Sequence, residues 1–218
     1  MKPQLIIFDM DGVLIDSEPY WNDALKTGFR ATNLEMTDEM CEATMGGRLN
    51  EVVDYRFKKH QINGISRDVV EELILEEIIH LVKTKAGILP GVHSSIEKIK
   101  QSGIPMAIAS SSPMRLIDVV MEKLKIEKEL SGIFSAQDDI LGKPHPSVYL
   151  RTAETLKVDP EACWVIEDSV NGMVSAKAAK MNVIAVPDPK MYNDIRWGLA
   201  DVLLRSLEEF DIDLLVSN

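Results

Sequence analysis

The sequence predicts an α/β fold: a doubly wound parallel sheet carrying a small helical unit inserted after its first strand. Three observations predict it. The chain opens on an unbroken apolar run, Leu5-Ile6-Ile7-Phe8, which reads as a strand buried on both faces. From Pro90-Gly91 onward, short β-rich runs alternate with amphipathic helical patterns, as successive βαβ units require. Between these parts, from about residue 17 to residue 87, only helical periodicity is present.

The elements follow in order. The first strand empties into Asp9-Met10-Asp11-Gly12, where glycine lets the backbone turn sharply. Helices are expected near 18–31 and 37–45, then one with Leu49, Val52, Val53 and Phe57 on one face. A fourth helix places Val69, Val70, Leu73, Ile74, Ile78, Leu81 and Val82 opposite Glu71, Glu72, Glu76 and Glu77, with Ser66 as N-cap and Gly87 beyond its end. Next come a strand at 105–109 and a helix opened by Ser112-Pro113, burying Leu116, Ile117, Val120, Met121 and Leu124. A short strand at 133–134, a helix near 146–156, a strand at 163–166, a helix over about 170–180 and strands at 182–186 and 201–204 complete the pattern. The first strand must join the later sheet, so residues 17–86 form a helical lid on an α/β core made of residues 1–16 and 87–218. The crossings near 14–17 and 86–90 are the expected hinges.

Composition narrows the function. At 218 residues, 45% apolar and 27% charged, the chain can bury a full core and has the balance of an ordinary soluble globular protein. A formal net charge of −11 argues against nucleic acid or an anionic membrane as partner. Cys41 and Cys163 show no CxxC pairing and read as small buried apolar residues. No apolar stretch approaches the roughly 18 residues of a membrane span, and no signal segment precedes the first strand. The expectation is a cytoplasmic monomer acting on a small anionic metabolite.

The chemistry is carried by polar groups at four strand ends. The first supplies Asp9 and Asp11; the second, Ser110-Ser111-Ser112; the loop after the third, Gly142-Lys143-Pro144-His145-Pro146; the fourth, Glu167-Asp168-Ser169. In a parallel sheet these converge on one edge. Asp9 can attack phosphorus and carry the phosphoryl group as an acyl phosphate. Asp11 can protonate the leaving oxygen and then deprotonate water. Mg²⁺ takes hard oxygen ligands, which Asp9 and Asp168 supply. Ser110 and Lys143 suit the non-bridging phosphate oxygens. Each motif alone has an ordinary reading: a turn, a helix cap, a loop lysine. Their joint order at successive strand ends argues for function. His93 and His145 read as structural.

Together these residues resemble the haloacid dehalogenase superfamily of phosphotransferases. The four motifs of that family appear in order as Asp9-x-Asp11-Gly12, Ser110, Lys143-Pro144 and Glu167-Asp168-Ser169-x-x-Gly172. The run from Asp9 to Pro19 and that from Ile166 to Ala176 look like the β-phosphoglucomutase-like branch, closest to the 2-deoxyglucose-6-phosphate and hexitol phosphatases. The resemblance implies Asp9 as nucleophile and Asp11 as acid/base. It implies Mg²⁺ on Asp9, the Asp11 carbonyl and Asp168, with Glu167 adjacent, and phosphoryl binding by Ser110, Ser111 and Lys143. Because the second aspartate is present, dehalogenation is not expected.

The resemblance also points to the cap for specificity. Arg48, after Gly46-Gly47, stands where related enzymes place a substrate-facing arginine; a helix-start arginine is the other reading. Trp21 could stack on a sugar face or pack between cap helices. The mutase has histidine at the Trp21 position and a lysine within its last cap helix, where Lys83 and Lys85 fall only at the helix end. The expected activity is therefore Mg²⁺-dependent hydrolysis of hexose, hexitol or 2-deoxyglucose 6-phosphates. A phosphosugar mutase is the first alternative. A receiver-like phosphoacceptor module is the second, although receivers are smaller, uncapped and lack the second aspartate.

Overall fold

The computed structural model describes residues 3–44 and 46–215. Six parallel strands form one sheet in the order β3-β2-β1-β4-β5-β6: β1 (Leu5–Phe8), β2 (Met106–Ser110), β3 (Leu130–Ser135), β4 (Cys163–Glu167), β5 (Asn182–Ala185) and β6 (Val202–Leu203). The chain winds outward from β1 in both directions, so the strand order reverses between β1 and β4. In such sheets that reversal opens a crevice at the carboxyl ends. Phe8 pairs with Ile108 on one side and Ile166 on the other, and the Asp9 amide donates to the Ile166 carbonyl at 2.9 Å. Asp9 is thereby held level with the end of β4.

Strand β1 is buried along its whole length because both sheet faces are covered. Leu5 and Ile7 pack on one side with Val165, Val183, Tyr149 and Trp197. Ile6 and Phe8 point to the other side, where the apolar cluster continues without a break into the helical insertion through Phe29, Val53, Ile74 and Val82.

That insertion contains α1 (Glu18–Arg30), α2 (Asp38–Glu42), α3 (Leu49–His60) and α4 (Arg67–Thr84). The helix expected at 37–45 is the short α2, and residue 45 lies outside the described residues. Ser66 caps α4 by accepting from the Val69 amide at 3.4 Å. The apolar face of α4 is narrower than the pattern implies. Val69 and Leu73 are 49% and 44% exposed while Leu75 is buried, because α4 turns Val70, Ile74 and Ile78 inward and leaves the flank open. The two crossings lie side by side: Ile15 bridges Ile88 antiparallel, the Asp16 amide donates to Gly87 and the Leu89 amide to Leu14.

The remaining helices are α5 (Val92–Ser102), α6 (Met114–Leu124), α7 (Ser147–Leu156) and α8 (Val170–Ala178). Strand β3 starts three residues before the expected 133, since its first residues still find ladder partners on β2. Ser112 does not cap α6. Pro113 occupies that position, and the Ser112 hydroxyl is used elsewhere. Cys41 and Cys163 are both free and buried. Among the described residues no helix is long and apolar enough to cross a membrane.

Candidate active site

The carboxyl ends of β1, β2 and β4, with the loop after β3, close the floor of a cavity of about 670 Å³ whose roof is formed by α1, α3 and the loop between α2 and α3. Asp9, buried at the end of β1, accepts from Lys143 Nζ at 2.6 Å. The same ammonium donates to Glu167 Oε1 at 2.7 Å and to the Ala109 carbonyl at 3.3 Å. Glu167 is fully buried and its remaining capacity is also filled: Tyr149 donates to Oε1 at 2.9 Å, and the Ser169 amide and hydroxyl donate to Oε2 at 2.9 and 3.0 Å. Lys143 thus ties Asp9 at the end of β1 and Glu167 at the end of β4 into a single buried ionic knot.

Asp168 stands beside this knot, and oxygens of Asp9, Glu167 and Asp168 lie within 4.8 Å of one another. Gly12 makes the arrangement possible. Its φ is +72°, and a Cβ there would fall 1.9 Å from Asp168 Oδ2. Three buried carboxylates, those of Asp9, Glu167 and Asp168, thus crowd around one ammonium. Burial pushes the Asp9 carboxyl up to about 7 against the pull of Lys143, with Glu167 and Asp11 pushing the same way as burial. Burial, then Glu167, Glu18 and Asp9, raises Asp168 well above the carboxylate range. For Lys143, burial alone would lower the ammonium, but the Asp9 and Glu167 carboxylates outweigh it and hold it well above the usual lysine value. An excess of hard, buried, mutually repelling oxygens is the donor set a divalent cation such as Mg²⁺ neutralises.

Asp11 is turned away from that cluster and gripped from both sides. Its Oδ1 accepts from Ser17 Oγ at 2.6 Å and Trp21 Nε1 at 3.0 Å, from the insertion side. Its Oδ2 accepts from Ser112 Oγ at 2.6 Å and Ser110 Oγ at 3.4 Å, from the sheet side. A carboxylate fixed at the cavity wall beside, but apart from, the buried cluster can exchange a proton with a bound group without joining the cation's ligands.

The expected residues fare differently. Asp9, Asp11, Ser110, Ser111, Lys143, Asp168 and Trp21 all line the cavity. Glu167 sits beneath it as the partner of Lys143. Ser111 donates its hydroxyl to the Gly46 carbonyl at 3.1 Å, so it reaches across to the insertion. Arg48 corrects the expectation of a substrate-facing cap arginine. It occupies the N-cap position of α3, is buried, and its guanidinium is taken up by carbonyls of the loop 136–140 and by Glu51, away from the cavity lining. Carbonyls emerging from the end of β3 lie within its reach, and a buried guanidinium must find such acceptors. His145 is exposed, with Nδ1 2.6 Å from Ser147 Oγ.

Sequence reasoning missed Ser17, Ser112 and Tyr149 as neighbours of the reacting carboxylates. Ser112 was legible only as part of the Ser110–Ser112 cluster, where a capping role competes. Ser17 carries no signal beyond belonging to the Asp9–Pro19 run that resembles the family, and Tyr149 reads only as an aromatic of the helix near 146–156.

Comparisons with known proteins place the chain in a family. Residues 6–186 match the family described as haloacid dehalogenase-like hydrolase. Hexitol phosphatase B of Escherichia coli strain K12 is 40% identical over 205 residues, covering 93% of this chain and 92% of that protein. Among solved structures, CbbY from Rhodobacter sphaeroides in complex with phosphate superposes with a TM-score of 0.83 at 25% identity, covering 95% and 96% of the two chains. β-Phosphoglucomutase of Clostridium difficile superposes with a TM-score of 0.82 at 22% identity over 97% and 94%, a likeness of fold. With the family motifs assembled at one sheet edge and the match running through nearly the whole sheet, the chain belongs to the haloacid dehalogenase-like hydrolases.

Proposed function

We propose that this protein is a Mg²⁺-dependent phosphatase acting on hexitol or hexose 6-phosphates through an aspartyl-phosphate intermediate. The observation that carries the reading is the 2.6 Å contact of Lys143 with Asp9 inside the Asp9–Glu167–Asp168 cluster, open to a cavity of about 670 Å³. Asp9 and Asp168, with the Asp11 main-chain carbonyl and Glu167 adjacent, would hold the cation, which supplies positive charge to the phosphoryl oxygens. Asp9 attacks phosphorus in line with the ester oxygen. As the P–O bond to the sugar breaks, Asp11 delivers its proton to that oxygen. Asp11 then takes a proton from water, whose oxygen attacks the phosphorus and releases inorganic phosphate from Asp9. Lys143 and Ser110 steady the charge on the transferring group.

The upper cavity supports a polyhydroxylated leaving group. Asp16, Glu18, Asn22, Glu42 and Asp188 line it with acceptors for sugar hydroxyls, and Lys190 and Arg205 line it from the sheet domain. Similarity to hexitol phosphatase B favours the same class.

Phosphate release measured across hexitol, hexose and 2-deoxyglucose 6-phosphates, with Mg²⁺ and with chelator, tests the proposal. Mg²⁺-dependent release favouring monophosphorylated polyols is expected. Conversion of β-glucose 1-phosphate to the 6-phosphate without net release would overturn it in favour of the mutase. A stable phosphoprotein without release would favour the acceptor module.

A further inference from the structure

Arg48 and Glu51 have no place in the chemistry just described, yet they make the most concentrated polar contact between the insertion and the sheet domain. Arg48 Nη1 donates to the carbonyls of Ala136, at 3.1 Å, and Asp139. Its Nη2 donates to the Ile140 carbonyl at 3.2 Å and to Glu51 Oε1 at 2.5 Å. Glu51 Oε1 in turn accepts from the Gly142 amide at 3.1 Å. The segment held in this way, residues 136–142, runs directly into Lys143.

Several features mark this as a fitted contact. A side chain at position 142 would press on the clamp itself: a Cβ there would lie 2.6 Å from Glu51 Oε2 and 2.8 Å from both Cγ and Nε of Arg48, so those side chains would have to shift. Burial alone would raise the Glu51 carboxyl, but the Arg48 guanidinium and the Gly142 amide hold it below its usual value. Beyond Ala136, which is buried in the core at its start, the segment has little apolar anchorage, since Ile140 is 93% exposed and Leu141 is 49% exposed. From the sheet domain, its polar ties include Arg151, whose Nε donates to Asp139 Oδ1 at 2.8 Å, Gln137, whose Oε1 accepts from the Met114 amide at 2.9 Å and whose amide donates to Ser135 Oγ at 3.1 Å, and the Gly142 carbonyl, which accepts from the His145 amide at 2.9 Å. A loop short of buried apolar contacts takes its order from the polar groups that grip it.

We propose that Arg48 and Glu51 are positioning residues: a clamp on the insertion that fixes the loop 136–142 and through it Lys143, so that the ammonium on Asp9 is fully set only when the insertion sits down on the sheet domain. This rests on the role given to Lys143 above. The clamp couples cap closure to assembly of the phosphoryl site, and an encounter that leaves the cap raised finds Lys143 loosely held.

The test compares Arg48→Ala, Glu51→Ala and Glu51→Gln with wild type, using Lys26→Ala on the exposed face of α1 as control. Amide hydrogen exchange over 136–145 and steady-state hydrolysis of p-nitrophenyl phosphate are measured on each. Arg48→Ala and Glu51→Ala are expected to speed exchange in 136–142 by about tenfold or more and to lower kcat by about tenfold, with KM within about threefold. Glu51→Gln, which keeps an acceptor for the Gly142 amide, should recover part of both losses, and Lys26→Ala should change neither. If Arg48→Ala fails to fold, Gly142→Ala disrupts the clamp from the other side and is expected to give the same pattern. Unchanged exchange in 136–142 would overturn the clamp. A rise in KM at constant kcat would overturn it as well, making Arg48 a substrate-binding residue. Were wild type to release no phosphate, the functional reading would fall while hydrogen exchange still decided the clamp.

Discussion

Trp21 on α1 donates its indole N–H to Asp11 Oδ1, on the loop after β1, at 3.0 Å. A residue whose type suggested a stacking surface or cap packing also donates a hydrogen bond to the proposed acid/base. The consequence is specific. Trp21→Phe keeps an aromatic ring in the apolar surroundings of α1 but removes one of two donors to that oxygen. A hydrogen bond to a charged group is at stake, so kcat should fall by about tenfold while Tm moves little. Steady-state kinetics and a thermal melt check it. An unchanged kcat would show that the hydroxyls of Ser17, Ser110 and Ser112 orient Asp11 without the indole.

Asp9→Asn should abolish turnover, by about 10⁴-fold or more in kcat, because an amide is a far poorer nucleophile at phosphorus. The fold should survive, since Asn can still accept from Lys143 and one of several crowded carboxylates is removed. Circular dichroism and phosphate release on the purified variant decide both halves. Near wild-type activity would displace Asp9 as nucleophile.

The crowded carboxylates also predict a pH dependence. Burial pushes Asp9 up to about 7, and burial with Asp11, Asp9 and Glu167 nearby pushes Glu18 up to about 8. In the unfolded chain both titrate near about 4. Between those values the folded state holds protons that the unfolded state has released. The stability that these groups contribute is therefore complete below about pH 4 and is lost as pH rises towards about 8. Lys143, raised from an already high value, contributes evenly across this window. Without divalent cations, Tm should fall between about pH 5 and pH 8, and added Mg²⁺ should raise Tm more at pH 8 than at pH 6, where protons compete for the same oxygens. Differential scanning calorimetry with chelator and with Mg²⁺ measures this; a Tm that climbs over that range in chelator would contradict it.

Burial, with a smaller push from Asp159, raises the Cys163 thiol to about 12, and burial raises Cys41 as well. Neither should form thiolate at pH 8 in the native protein. A chromogenic disulfide reagent should report no fast thiol in the folded state and two in denaturant. Rapid native labelling would show that one of these sites opens readily.

The strands were legible because a parallel sheet covered on both faces demands continuous apolar runs, and 5–8, 105–109 and 163–166 supply them. The chemical groups were legible because they follow those runs at once, so that locating a strand end also locates Asp9, Ser110 and Asp168. Contacts between elements were not. The face of α4 was drawn too wide because Val69 and Leu73 satisfy helical spacing without meeting a neighbour. Ser112 carried a capping signal, yet its hydroxyl serves Asp11, since Pro113 takes the cap position and leaves that hydroxyl free for a stronger acceptor. Arg48 has the residue type of an anion binder, and what it binds depends on carbonyls 88 to 92 residues away in sequence.

By itself, then, the order of residues determined the α/β architecture, the helical insertion and the set of groups brought to one sheet edge. These follow from hydrophobic periodicity and from the rule that parallel strands align their carboxyl ends, both local or topological properties. The tertiary structure alone decided which hydroxyls and which indole grip Asp11, that Lys143 bridges Asp9 and Glu167, and that Arg48 turns to a loop and not to the cavity. Those outcomes depend on distances between segments far apart in the chain, where a hydrogen bond is made or lost over a few tenths of an ångström and no pattern of residue types encodes it.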